Sequence, residues 1–167
     1  MEKRNVTVSA IVAAIVLIGD QLSKHWAETW LRTNGEYKIW DGVLHLRYVE
    51  NRGAAMMQGG KWFFLAITGI ACAAMLYFLI KERKRLHFMM TFSIALLLSG
   101  AIGNLIDRVA LGYVRDMIYV ALIDFAVFNV ADMAVTVGCC LLVLDLLFFK
   151  GKKYMEMMDK KPQTGEN

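Results

Sequence analysis

Four long apolar blocks constrain this chain more than any other feature. They run from about Val6 to Leu22, Trp62 to Ile80, Phe88 to Ile106 and Val127 to Phe149. A helix needs about 20 mostly apolar residues to cross a bilayer, and each block is near that length. Apolar residues make up 57% of the 167-residue sequence, and its mean hydropathy is +0.44. Because this content lies in blocks rather than in short alternating runs, the solvent for most of the chain is lipid. The expected fold class is an all-α integral membrane protein with four transmembrane helices, forming one membrane domain over residues 1–167.

The positions of Lys and Arg set the orientation. Lys3 and Arg4 precede the first block, and Lys81, Arg83, Lys84 and Arg85 fill the turn between the second and third. Lys150, Lys152, Lys153, Lys160 and Lys161 follow the fourth. In a four-span topology all of these lie on one side, which the bias of basic residues identifies as the cytoplasm, with both termini inside. The net charge of +4 is then a topology signal, and no nucleic-acid partner is implied. The first block has a basic start but runs into Asp20-Gln-Leu-Ser-Lys24 without a small-residue cleavage site, so it reads as a retained span. Cys72, Cys139 and Cys140 fall inside blocks two and four and read as small apolar packing residues. No His, Cys and carboxylate spacing resembles a metal site, and no cofactor is expected. The charged tail over residues 150–167 reads as disordered.

Two segments then face outward, residues 23–61 and 107–126. Val43 to Val49 alternates apolar and polar positions, with β-branched and aromatic members, and reads as a short strand. Asn51-Arg52-Gly53 follows as a turn. Val114 to Val120 is a second strand candidate, so a small extracytoplasmic β element is expected over the helix ends.

Ionisable groups at membrane depth are expensive, and each asks for a reason. Asp20, Lys24, Asp107, Arg108, Asp116 and Asp132 all fall at or near the outer ends of the spans, so these ends converge on one polar patch. Simple structural readings exist for several of them. Asp20 and Lys24 are spaced for an ion pair along a helix. Asn129 and Asp132 are spaced for a capping box. Asp107-Arg108 could be interfacial charge, and Asp145 is expected near the opposite end with Lys150. No serine or cysteine lies beside a histidine as a nucleophile would beside its base.

A carboxylate chemistry remains. Two aspartates facing each other share one proton, because like charges so close cannot both ionise. One then takes a proton from water while the other polarises a carbonyl and later protonates the leaving amine. Asp132, in the first turn of a helix, sits where the positive end of the dipole stabilises a negative charge. Arg108 and Asn104, one turn apart, are expected to point together into the patch and hold a substrate chain.

Several blocks of the sequence resemble the lipoprotein signal peptidase (signal peptidase II) family. They are Asp20-Gln-Leu-Ser-Lys24, Val49-Glu-Asn-Arg-Gly-Ala-Ala55, Gly103-Asn-Leu-Ile-Asp-Arg108 with Gly112 and Val114-Arg-Asp116, and Phe128-Asn-Val-Ala-Asp132 running on to Gly138. The resemblance covers about Val6 to Phe149. It implies a membrane aspartyl endopeptidase of the bacterial inner membrane, working at the outer face as a monomer. Its substrates would be prolipoproteins, cut just before a lipid-modified cysteine, with membrane lipid around the site. Carried over, the catalytic pair is Asp116 and Asp132. Asn51, Gly53, Asn104, Arg108 and Asn129 match substrate-binding positions, and Asp20, Lys24 and Asp107 match structural polar ones. Met117 and Met56 stand where the family usually has aromatic residues, which bears on substrate packing. The rival reading is an intramembrane proton relay or transporter, which needs acids along a path, whereas the inner half holds only Asp145.

Overall fold

The computed structural model describes residues 2–53, 61–82 and 85–149. Helix α1 spans Glu2–Trp26 and continues through a π-helical turn, Ala27–Leu31, into the short α2, Arg32–Asn34. Strands β1 (Tyr37–Trp40) and β2 (Leu44–Asn51) follow, then helices α3 (Lys61–Glu82) and α4 (Phe88–Ala110). Strand β3 (Val114–Val120), a 3-10 turn (Ala121–Ile123) and helix α5 (Val130–Phe148) complete the order. Among the described residues, four helical stretches are long and apolar enough to cross a membrane, and each overlaps one of the expected blocks. The expected disordered tail lies outside the described residues.

The outermost helix residues are apolar because their solvent is lipid. Ile11, Ile15, Ile18 and Leu22 form an exposed stripe at helical spacing along α1. Cys139 and Cys140 are likewise exposed on α5, which corrects the expectation that they pack inside. Cys72 does pack, against the cluster of Leu86, Met90, Ile94 and Leu98.

Helix α4 is the axis of the bundle and the most buried of the four spans. It meets α5 closely because glycine removes the side chain between them. A Cβ at Gly138 would lie 2.9 Å from the carbonyl oxygen of Ser93. Lipid offers no hydrophobic drive between helices, so approach of this kind supplies the packing energy instead.

The three strands form one antiparallel sheet in the order β1-β2-β3. Val49 pairs with Asp116 and Asn51 with Val114, which brings the two outer segments into register. β3 matches its expected span, and β2 matches closely. Two features differ from expectation. Residues 23–34, expected only to begin an outward-facing segment, are helical. The apolar signal stops near Leu22, but no glycine or proline interrupts the backbone until Gly35, at φ +82°. Strand β1 was not foreseen, since its four residues are all exposed and carry no alternation of burial.

Candidate active site

Asp116 arrives on β3 and Asp132 in the first turn of α5, and two asparagines join them. Asn129 is the N-cap of α5. Its side-chain oxygen accepts from the Asp132 backbone N–H at 3.0 Å, and its own backbone N–H donates to Asp132 Oδ2 at 3.2 Å. This is the capping box anticipated by spacing. The same Asn129 donates its amide to Asp116 Oδ1 at 2.6 Å and to Asn104 Oδ1 at 3.1 Å. Asn104 completes the ring by donating to Asp132 Oδ1 at 2.7 Å. Capping and site assembly are therefore one arrangement, and the two readings of Asp132 do not compete.

On its far side Asp116 Oδ2 accepts from the Asn51 amide at 2.8 Å. Asn51 is held in turn because its side-chain oxygen accepts from the Gly53 N–H at 2.9 Å, where Gly53 adopts φ +64°. That turn needs a residue tolerant of the left-handed region, and glycine supplies it. Burial pushes the Asp116 carboxyl above its usual range, the amides of Asn51 and Asn129 hold it partly down, and the nearby Asp132 charge raises it again.

Behind the pair lies a buried ionic frame. Lys24 and Asp20, both fully buried, meet at 2.9 Å, and Lys24 also approaches Asp107 at 3.6 Å. Lys24 donates to Asn104 Oδ1 at 2.9 Å. Since that oxygen faces a cation, the Asn104 amide must turn to Asp132. Asp20 Oδ1 accepts from the Ala131 N–H at 2.9 Å, tying α1 to the start of α5. The approach is possible because a Cβ at Gly103 would lie 2.6 Å from Asp20 Oδ2. The Asp20–Lys24 pair is thus more than a local helix pair, since it joins three helices.

Arg108 does not enter this network. It is half-buried and makes no hydrogen bond or ion pair among the described residues. Asn104 enters the patch, as expected, and the described contacts do not tie Arg108 to it. Asp107 turns inward instead, where Arg115 binds it at 2.7 Å. Asp145 pairs with His87 at 2.8 Å, while Lys150, its expected neighbour, lies outside the described residues. Met117 is also placed differently from expectation. It is 3% exposed and packs on Ala27 and Leu31, so it is a core residue. Met56 lies outside the described residues.

Sequence reading passed over Gln21, Glu28 and Arg115. Arg115 donates to Asp107, to Glu28 at 3.0 Å and to Gln21 at 3.2 Å. The available signal was its place beside Asp116 on a strand, where alternate residues must face opposite ways.

Known proteins share both the sequence and the architecture. The family model of signal peptidase (SPase) II matches residues 12–148. A lipoprotein signal peptidase of Streptococcus thermophilus (strain CNRZ 1066) is 45% identical over 142 residues, covering 83% of this chain and 92% of that protein. One from Clostridioides difficile (strain 630) is 43% identical over 145 residues, covering 85% and 97%. A solved bacterial membrane enzyme superposes with a TM-score of 0.77 at 34% identity, over 85% of this chain and 94% of that one. With sequence and fold in agreement over most of its length, the chain belongs to the signal peptidase II family and is a membrane peptidase.

Proposed function

We propose that the chain is an aspartic endopeptidase that removes signal peptides from lipid-modified prolipoproteins, cutting just before the diacylglyceryl-cysteine. The observation that carries this reading is the meeting of Asp116 of β3 and Asp132 of α5 on the Asn129 side chain. The chemistry follows from that placement. Asp116, buried and biased toward its protonated form, hydrogen-bonds the scissile carbonyl oxygen. Ionised Asp132 takes a proton from a water, whose oxygen attacks the carbonyl carbon while the Asp116 proton passes to the carbonyl oxygen, giving a tetrahedral diol. The proton gained by Asp132 passes to the leaving nitrogen as the C–N bond breaks, and the diol proton returns to the pair. Two carboxylates and one water suffice, so no cofactor takes part.

Asn51, Gly53 and Asn104 border the pair, and Arg108 at the outer end of α4, which has no partner among the described residues, offers its guanidinium to a substrate carbonyl. Asp20, Lys24 and Asp107 form the frame beneath. The basic residues around α3, α4 and the chain ends support cytoplasmic termini, with the site at the outer face of the inner membrane. The substrate's acyl chains then stay in the bilayer while its peptide crosses the site. The test is incubation of the purified protein with a diacylglyceryl-modified lipobox peptide, followed by mass analysis. A cut before the modified cysteine is expected, and an intact peptide, or equal cutting of the unmodified one, would overturn the reading.

A further inference from the structure

Asp116 is flanked on β3 by Arg115 and Met117, which alternation places on the opposite face of the strand. Both neighbours are anchored. Met117 packs on Ala27 and Leu31 of the π-helical turn. Arg115 uses every nitrogen of its guanidinium. Its Nε and Nη2 grip Asp107 of α4 at 3.2 and 2.7 Å, Nη1 reaches Glu28 of the π-helical turn at 3.0 Å, and Nη2 reaches Gln21 of α1 at 3.2 Å. Its backbone N–H adds a fifth tie, to Asp107 Oδ2 at 2.9 Å. The side chain is 11% exposed and Asp107 is fully buried, so water competes little for these bonds.

Asp107 also faces Lys24 at 3.6 Å, and Lys24 orients Asn104 toward Asp132. One carboxylate therefore anchors both arms of the site, Arg115 beside Asp116 on one side and Lys24-Asn104-Asp132 on the other. We propose that Arg115 is a positioning residue for the reaction: its clamp on Asp107, Glu28 and Gln21 fixes strand β3 so that Asp116 is presented to Asp132. The inference rests on the catalytic reading of Asp116 given above, and it goes beyond that reading by assigning the alignment of the pair to a residue outside it.

Lysine keeps the charge but loses the planar fork, so it cannot hold Asp107 and Glu28 together. Glu28→Gln removes one ion pair from the same clamp and leaves Asp107 in place. Both variants, with Asp116→Asn in parallel, are to be assayed on a fluorogenic diacylglyceryl-peptide, with turnover normalised to the folded fraction. For Arg115→Lys we expect kcat to fall on the order of tenfold or more, as sub-ångström misplacement of a reacting group does. KM should stay within about twofold, since substrate contacts are intact. The alkaline limb of the pH profile should move to lower pH, because a loosened strand admits water to Asp116. The charged groups facing Asp116 are Asp132 from α5 and Lys24 from α1, and both are unchanged in these variants. Glu28→Gln should show the same signature with a smaller drop, and it decides the matter if Arg115→Lys does not fold. A purely structural clamp would lower the thermal midpoint but leave kcat per folded molecule and the pH profile as in wild type, and that result would overturn the proposal. If Asp116→Asn itself were active, the catalytic reading would fail instead, so the two failures are distinguishable.

Discussion

Asn129 donates to Asp116 at 2.6 Å with the same side chain that caps the helix carrying Asp132. A capping asparagine is ordinarily a local device, satisfying backbone groups that a helix start leaves open. Here its second function is geometric: the start of α5 and the middle of β3 cannot move apart without breaking the cap's outward bond.

That double role separates two substitutions. Asp132→Asn keeps a side-chain oxygen for the box, so the helix start should survive while peptide cleavage is abolished. Asp116→Asn should be equally inactive, since either change leaves one carboxylate where the reaction needs an acid and a base. Thermal unfolding in detergent and a cleavage assay read both properties. Near-normal turnover in Asp132→Asn would reduce this residue to a cap.

The ionic frame should be unforgiving. Lys24→Met leaves the buried carboxylates of Asp20 and Asp107 without their shared cation. Removing one partner of a buried pair costs about 3–5 kcal/mol, and the Asn104 amide also loses the charge that orients it. Pairing Lys24→Met with Asp20→Asn should recover part of the stability and none of the turnover. A single Lys24→Met variant as stable as wild type would show the frame to be dispensable.

The pH dependence has a definite sign. Burial raises the Asp116 carboxyl in the folded state, so the folded protein binds that proton more tightly than the unfolded chain does. The associated stability is full below the unfolded value and is lost as pH rises through the folded one. Activity that depends on the same proton should fall over the same interval, forming the alkaline limb of a bell-shaped profile. The measurement is kcat/KM across pH, and an alkaline limb at or below the ordinary aspartate range would contradict it.

Arg108 is a different kind of residue from Arg115, because it has no partner among the described residues. If its guanidinium receives the substrate, Arg108→Lys should leave folding untouched and lower kcat/KM by roughly tenfold, the worth of one lost charge-assisted hydrogen bond. Wild-type kinetics would place Arg108 outside substrate contact.

Orientation can be read in intact cells. Single cysteines introduced at Arg52 and at Arg85, in a background where the three native cysteines are replaced, should differ, with the first labelled by an impermeant reagent and the second protected. The reverse pattern would invert the topology and place the site on the cytoplasmic side.

The four spans and the β3 strand were legible in the sequence because burial in lipid and alternation in a strand are local patterns, written in consecutive residues. That Asp116 and Asp132 meet at one polar patch was legible because carboxylates at membrane depth demand a reason, and because the blocks around them resemble a known family. The helical continuation to Asn34 was not legible, since hydropathy marks where lipid ends and says nothing of where a helix does. Nor could spacing tell that Asp107 is fully buried while Arg108 is half-buried. What buries Asp107 is the arrival of Arg115 from a strand and Lys24 from α1. Charge and period are properties of the chain. The partner that neutralises a buried charge is a property of the fold, because it arrives from another element, as Arg115 of β3 and Lys24 of α1 arrive at Asp107 of α4.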